Sequence, residues 1–197
     1  MLVLSLALDA AADDSGFEPV RESGGCAIAM RAEDHPEGAA MRAVCRWPEI
    51  EAPALVEMLS RYERYPDFVY PVTEAKVVRT EADGRTLVYQ RQSMFGIADR
   101  EVLLWMWREE PAEHTVRFTW TTASEEPLTM REGSVRTPKN VGYWQVTADP
   151  GGGSTVVHEI ALDAGGSVPR WLVSLVRTRG FARVMLEVRA VAAGAGA

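Results

Sequence analysis

The chain has 197 residues, of which 47% are hydrophobic and 25% charged, and its formal net charge is −7. These values indicate one folded domain with a substantial core, and the acidic balance argues against nucleic acid as a partner because phosphate binding needs a basic surface. No segment has the roughly 18 consecutive apolar residues of a membrane-spanning helix.

The N-terminal segment is predicted to lie outside the folded domain. An apolar run over residues 1–8 precedes three alanines at 10–12, as at a signal-peptide cleavage site, but the usual basic segment is missing. We interpret residues 1–15 as a truncated signal peptide or otherwise a disordered N-terminus, 16–193 as one domain, and 194–197 as a disordered tail. A signal peptide predicts a periplasmic or secreted protein; the alternative is a cytoplasmic one.

The two cysteines are predicted to face each other across a hairpin. Residues 26–32 and 40–47 alternate as strands around the turn-forming segment 33–39, which contains Pro and Gly. Symmetric pairing about this turn places Cys26 opposite Cys45 and puts the apolar side chains on the same face: Ile28, Met30, Met41 and Ala43. A disulfide there would stabilise the fold by about 3 kcal/mol and persist in an oxidising compartment. Two reduced core cysteines remain the alternative.

The remainder of the chain predicts an α+β domain in which short antiparallel strands follow one helix and precede another. The first helix is expected at about 53–62, where Pro53 suits the first turn. Asp83-Gly84 marks a two-residue hairpin turn. The predicted strands are residues 74–80, 85–93, 100–110, 114–124, 140–148 and 154–162.

The last helix, which follows Gly165, is predicted to be interrupted at Arg179–Gly180. Ser167 and Pro169 provide a start signal. Before Gly180 the apolar face consists of Trp171, Leu172, Leu175 and Val176. After it, a nearly opposite face consists of Phe181, Val184, Met185, Val188 and Val191. A glycine costs about 1 kcal/mol in a helix, so this is where we expect a kink.

Catalytic spacings are absent from the sequence. It has no nucleophile elbow, zinc-protease motif, Walker lysine or dinucleotide-binding glycine motif. The three histidines are scattered, so neither a metal site nor a cofactor is expected. The polar groups that could serve an enzyme pocket are Arg91, Arg100, His158 and Glu159.

The strands carry more large apolar side chains than one helix needs to cover. Residues 102–107 are apolar on both faces, with Val102, Leu104 and Met106 on one and Leu103, Trp105 and Trp107 on the other. Neighbouring strands add Leu87, Tyr89 and Arg91 on one face, and Val116, Phe118 and Trp120 on another. A curved sheet of this kind could enclose an apolar cavity. A filled core is the alternative.

Several segments together resemble the START family of lipid-transfer domains, within the helix-grip (Bet v 1-like) superfamily. The resemblance runs from about Phe17 to Ala192. It is carried most specifically by Arg100-Glu101, which opens the central strand, and by the Gly-Gly-x-x-Pro-x-Trp-Leu segment at 165–172. In the family the doublet that opens the central strand is usually Arg-Asp, so Glu101 is a conservative departure.

The resemblance implies a helix-grip fold, in which a curved antiparallel sheet wraps around a long C-terminal helix and leaves a lipid-sized tunnel. It also implies that the loop at 93–99 gates this tunnel near the helix. Between Arg170 and Val191 there are five Arg and one Glu. These basic residues would face solvent or a transient anionic membrane surface, where each is worth about 1 kcal/mol.

The leading hypothesis is a non-catalytic, monomeric protein that binds or transfers a lipid or another apolar small molecule, with Arg91 or Arg100 anchoring its polar head group. A salt bridge is the alternative role for either arginine. An enzyme similar to polyketide cyclases or aromatases, and a ligand-free scaffold, are the competing hypotheses. The expected cavity residues are Leu87, Tyr89, Arg91, Met94, Phe95, Arg100, Val102, Leu104, Met106, Phe118, Trp120, Trp144, His158, Trp171, Leu172 and Leu175.

Overall fold

The structure is a computed structural model that describes residues 16–32, 39–168 and 179–194. Two α-helices are described, α1 (Ala52–Ser60) and α2 (Phe181–Gly194), together with a 3₁₀ helix at Tyr62–Asp67. The strands in the described part of the chain are β1 (Glu18–Ser23), β2 (Cys26–Ala32), β3 (Ala39–Trp47), β4 (Val72–Thr80), β5 (Thr86–Gln92), β6 (Arg100–Ala112), β7 (Thr115–Thr122), β8 (Val135–Arg136), β9 (Lys139–Ala148) and β10 (Ser154–Asp163).

All the described strands form one curved sheet in the order β1-β2-β3-β10-β9-β7-β6-β5-β4, with β8 beside β6. Strand β3 pairs with β10, with Cys45 opposite Val156. This pair joins the N-terminal strands β1–β3 to the strand that comes last in the described chain. This architecture confirms the predicted antiparallel sheet with a C-terminal helix. It differs from a simple meander because β3–β10 is a long-range pair and β8 pairs parallel to β6.

The predicted hairpin register is confirmed. Cys26 pairs with Cys45, Ile28 with Ala43 and Met30 with Met41. Cys26 and Cys45 form a disulfide and both side chains are buried. The alternative of two reduced core cysteines is therefore not the state of this structure.

Both helices cover the same face of the sheet, which we call the inner face. One hydrophobic cluster joins Leu55 and Leu59 of α1 and Met185 and Val188 of α2 to the strands. From β6 it takes Val102, Leu104 and Met106, since alternate residues of a strand share a face. The opposite, outer face carries a second cluster consisting of Leu87, Tyr89, Leu103, Trp105 and Ala123, with Trp107 and Leu128 packed against it.

The second half of the C-terminal helix behaves as its sequence predicts. The α-helix begins at Phe181, and Arg179 and Gly180 have wider, π-helical geometry just before it. Its buried side chains are Phe181, Ala182, Val184, Met185, Val188 and Ala192. Four of the five predicted face residues are therefore buried, and the fifth, Val191, is partly buried against the same core. The first half of the predicted helix, with Trp171, Leu172 and Leu175, lies outside the described residues.

Within the described ranges, neither helix has the length and apolar character that crossing a membrane requires.

Candidate functional site

A small pocket opens on the inner face between the sheet and the segment that follows the 3₁₀ helix. Its volume is about 50 Å³. We call it the inner pocket. Its walls are Tyr65, Val69, Tyr70, Pro71, Val72, Gln90, Gln92, Leu104, Met106, Trp120, Asn140, Trp144 and His158.

A stack of rings forms one wall and links the sheet to α2. The imidazole of His158 lies on the indole of Trp144, with centroids 3.6 Å apart, and Phe181 stacks at 5.2 Å from the imidazole. Nδ1 of His158 donates a hydrogen bond to the carbonyl oxygen of Tyr143, at 3.1 Å. Burial lowers the pKa of His158 to about 3, so the ring is neutral and Nδ1 carries its proton.

Uncharged polar side chains also line the pocket. Nε1 of Trp120 donates to Oδ1 of Asn140 at 2.9 Å, and both residues are buried. Gln90, from β5, is opposite Val102 and buried on the inner face. Gln90, Gln92 and Asn140 line the pocket although the sequence pattern did not single them out as site residues. Because side chains alternate along β5, Gln90 and Tyr89 must lie on different faces of the sheet. Only the β5–β6 register shows that Gln90 is the one that points toward the helices.

Arg100 extends the inner face at the start of β6. Its residue is 2% exposed, and its guanidinium donates to the carbonyl oxygens of Ala98 and Gly165, the latter at 3.2 Å. In the described part of the chain Nε has no hydrogen-bond partner, and no carboxylate forms an ion pair with this arginine. Burial lowers the pKa of Arg100, with the nearby charge of Asp99 opposing that shift.

The 93–99 loop lies directly before Arg100. Phe95 is 95% exposed at its tip, while Met94 is partly buried. Asp99 closes the base of the loop by accepting hydrogen bonds from Ser93 Oγ at 2.7 Å and Arg91 Nη1 at 3.1 Å. Because Arg100 bonds to Gly165, the end of this loop is tied to the segment that precedes the C-terminal helix.

The structure brings together only some of the predicted cavity residues. Leu104, Met106, Trp120, Trp144 and His158 line the inner pocket, and Val102 and Phe118 belong to the same core cluster.

The placement of Leu87, Tyr89 and Arg91 in the cavity is wrong. Leu87 is paired with Trp105 and therefore faces the outer side, as do Tyr89 and Arg91 two and four residues later. Arg91 forms ion pairs with Glu74 at 3.4 Å and Asp99 at 3.1 Å, the salt-bridge role left open as an alternative.

Chemically, the inner pocket offers apolar and aromatic surface, a few neutral polar groups and one buried cation at its edge. Among the described residues no group of three His, Cys, Asp or Glu side chains is arranged to hold a metal ion.

Comparison with known proteins identifies the family and the fold. The family described as "Polyketide cyclase / dehydrase and lipid transport" matches residues 52–187, more than half of the chain. An uncharacterized protein of Pseudomonas aeruginosa is 28% identical over 109 residues, which are 54% of this chain and 52% of that protein. The chain therefore spans about half the length of the curated relative that it matches.

Solved structures show the same fold at low sequence identity. A STAR-related lipid transfer protein from Xanthomonas axonopodis has a TM-score of 0.78 at 18% identity, covering 90% of this chain and 98% of that one. Human StAR-related lipid transfer protein 5 has a TM-score of 0.81 at 15% identity, covering 91% and 87%. At these identities the similarity shows the helix-grip fold alone.

Proposed function

We propose that this chain, which belongs to the polyketide cyclase/dehydrase and lipid transport family, binds an amphipathic lipid between its sheet and C-terminal helix and carries it without chemical change. The observation that carries this proposal is the position of Arg100. It is a buried cation on the inner face, next to an apolar core, and its described partners are backbone carbonyls rather than a carboxylate.

A buried charge is costly unless it is paired and hydrogen-bonded. An anionic head group, such as the carboxylate of a fatty acid, would supply the counter-charge and accept a hydrogen bond from the free Nε of Arg100. The acyl chain would then extend along the inner face toward Leu104 and Met106. Gln92 lies opposite Arg100 on β5 and provides a neutral polar group next to the same head group.

The inner pocket must widen for this ligand. Its volume is about 50 Å³, whereas pockets for drug-sized ligands have roughly 300–1,000 Å³. We assign the opening to the 93–99 loop, whose base is held by the side-chain contacts of Asp99 and whose tip projects into solvent. Entry of Phe95 into a lipid surface would hold the loop away from the pocket.

The neutral state of His158 favours a role in binding over a role in catalysis. A general base works best when its pKa is near the working pH, and the pKa of His158 is about 3 because the ring is buried. Glu159, the neighbouring candidate, faces away from the pocket and pairs with Arg42 at 2.8 Å. His158 therefore fits the polar lining of a ligand pocket, and neither group fits the proton-transfer role that a cyclase needs.

The disulfide supports a periplasmic or secreted location. Such bonds persist in oxidising compartments and are uncommon in the reducing cytosol. Transfer of lipid between membrane surfaces outside the cytoplasm would suit a monomer with an exposed aromatic loop.

The test is native mass spectrometry of the full chain, purified under oxidising conditions and incubated with mixed lipids. We expect a bound mass that is lost on denaturation and extracted as an anionic lipid. Arg100→Gln should bind about tenfold less, because it removes one charge-assisted hydrogen bond. Arg85→Gln, a substitution of an exposed arginine on the β4–β5 turn, is the matched control and should bind normally.

A protein that stays free of lipid would overturn the carrier function and favour a ligand-free scaffold. Equal binding by the Arg100→Gln and Arg85→Gln variants would leave a carrier but refute the anchor.

A further inference from the structure

Three polar side chains in the wall of the inner pocket have hydrogen-bonding atoms that the fold does not use. They belong to Gln90 on β5, Asn140 on β9 and His158 on β10, which are 3%, 2% and 4% exposed. Buried polar groups of folded proteins nearly always have a partner, so unused atoms at three neighbouring positions need a physical explanation.

The orientation of the Asn140 amide is fixed by Trp120. Nε1 of an indole can only donate, so the Asn140 atom that it contacts at 2.9 Å must be the oxygen, Oδ1. Nδ2 is therefore the second atom of this amide. It has no hydrogen-bond partner in the described part of the chain, so Asn140 presents a donor of fixed identity to the pocket.

The tautomer of His158 is fixed in the same way. Nδ1 lies 3.1 Å from the carbonyl oxygen of Tyr143, which can only accept, so Nδ1 carries the proton and Nε2 has a free lone pair. The pKa of about 3 keeps the ring neutral near neutral pH, so Nε2 stays an acceptor. Within the described ranges no group donates a hydrogen bond to Nε2.

Gln90 adds a side-chain amide that can donate or accept. It forms no hydrogen bond with any residue that the structure describes. In the described chain, the fully enclosed side-chain atoms without a partner belong to other residues: Arg91, Arg100, Glu101, Thr137 and Ser154. The unused atoms of Gln90, Asn140 and His158 therefore border the open space of the pocket rather than packed protein.

A hydroxyl group matches this set of donors and acceptors. Its O–H can donate to Nε2 of His158, while its oxygen accepts from Nδ2 of Asn140 and from the amide of Gln90. A ketone would leave Nε2 without a donor, and a methylene group would leave all three side chains unpaired. The pocket volume of about 50 Å³ admits such a group, since a water-sized group needs roughly 10–15 Å³.

The polar part of the inner pocket lies some distance along β6 from Arg100. The Oγ of Thr122 donates to the backbone carbonyl of Asn140, and Thr122 pairs with Leu104, four residues beyond Arg100. Four residues of extended strand span about 13 Å. A fatty acid held by its carboxylate at Arg100 would therefore place the middle of its chain, rather than its first carbons, beside Asn140.

We propose that the inner pocket recognises a hydroxyl group near the middle of an acyl chain, so that the preferred ligands are hydroxylated fatty acids. This inference rests on the proposed lipid-carrier function and narrows its ligand class. The discrimination comes from the buried groups of Gln90, Asn140 and His158, which an unsubstituted chain would cover without pairing.

The test compares three ligands that differ at one carbon. Oleate has a methylene group there, ricinoleate has a hydroxyl, and the third ligand is the ketone obtained by oxidising ricinoleate. Their affinities for the full chain are measured by isothermal titration calorimetry. We expect ricinoleate to bind about tenfold more tightly than oleate, and the ketone to lose most of this gain because it cannot donate to His158.

Two variants assign the hydroxyl to the pocket. His158→Phe keeps a ring in the stack but removes Nε2, so ricinoleate and the ketone should then bind equally. Gln90→Met should reduce the preference for ricinoleate over oleate to about threefold or less. It should not lower the free energy of unfolding, because the amide that it removes has no partner in the described fold.

Gln145→Met is the matched control. It makes the same substitution on β9, where Gln145 alternates with the buried core residues Trp144 and Val146 and so lies on the outer face. The preference for ricinoleate should persist in this variant.

The outcomes separate this inference from the carrier function. Equal binding of oleate and ricinoleate to the unaltered chain would overturn the hydroxyl site and leave the carrier intact. A preference that survives both His158→Phe and Gln90→Met would place the hydroxyl elsewhere and refute the pocket assignment. Failure of all three ligands to bind would overturn the carrier and this inference together.

Discussion

The imidazole of His158 lies parallel to the indole of Trp144, with centroids 3.6 Å apart and planes inclined by 4°. The ring is 4% exposed, and its Nδ1–H is used by the Tyr143 carbonyl. If His158 were protonated, its charge would lie among the rings of Trp144, Trp120 and Phe181. None of these three neighbours is a carboxylate that could balance the charge. The stack therefore makes folding sensitive to pH.

We predict that the protein loses stability as the solution becomes acidic, through His158. The pKa of this group is about 3 when folded and 6.5 when unfolded, so only the unfolded chain takes up the proton between these values. The free energy of unfolding should fall by about 2 kcal/mol from about pH 8 to about pH 5. His158→Phe, which keeps a stacked ring, should lack most of this loss in urea titrations. An identical loss in both proteins would contradict the assignment.

The Cys26–Cys45 disulfide crosslinks the β2–β3 hairpin over a sequence separation of 19 residues. Replacing both cysteines with alanine should lower the free energy of unfolding by about 3 kcal/mol, because the unfolded chain regains the entropy that the crosslink removes. Denaturant titrations with and without dithiothreitol measure this. The reductant should destabilise only the unaltered chain; equal responses would be the contrary result.

We predict that a side chain at position 142 in β9 destabilises the fold, because the space next to Gly142 is already filled. A Cβ there would overlap the carbonyl oxygen of Glu159 and lie 2.8 Å from Cζ2 of Trp120. Gly142→Ala should therefore destabilise by about 1–3 kcal/mol and displace Trp120 in the inner pocket, which its fluorescence would report. Gly151→Ala is the control, since nothing lies within 4 Å of its Cβ position, and it should change stability by less than about 0.5 kcal/mol.

Phe95 should contribute to membrane binding. At 95% exposure its ring makes little contribution to the fold, so Phe95→Ser should leave stability within about 0.5 kcal/mol. Binding to anionic vesicles should weaken by about tenfold or more, because burial of an aromatic side chain is worth about 1.5–3 kcal/mol. Vesicle sedimentation measures this, and Val20→Ser, at another exposed apolar position, should bind as the unaltered chain does. Unchanged vesicle binding by Phe95→Ser would refute the docking role of the loop.

The local pattern of the sequence was enough for the β2–β3 hairpin and for the described second half of the last helix. The register of Cys26 with Cys45 follows from a short turn and from alternation along two adjacent strands. The buried face of α2 follows from helical periodicity after Gly180. Strand β1 was missed because its six residues, Glu18–Ser23, are mostly exposed and show no apolar alternation.

The sequence by itself therefore determined the α+β class, the facing of Cys26 and Cys45, the family resemblance and which residues of each strand share a face. Only the tertiary structure decided which face is inside, because that depends on the pairing of strands far apart in the chain. Residues 102–107 are apolar on both sides, so Leu87 and Tyr89 could be assigned to either face until the β5–β6 register placed them on the outer face, away from the helices. Alternation along a strand shows which side chains share a face of the sheet. Packing against α1 and α2 decides which of the two faces is the inner one.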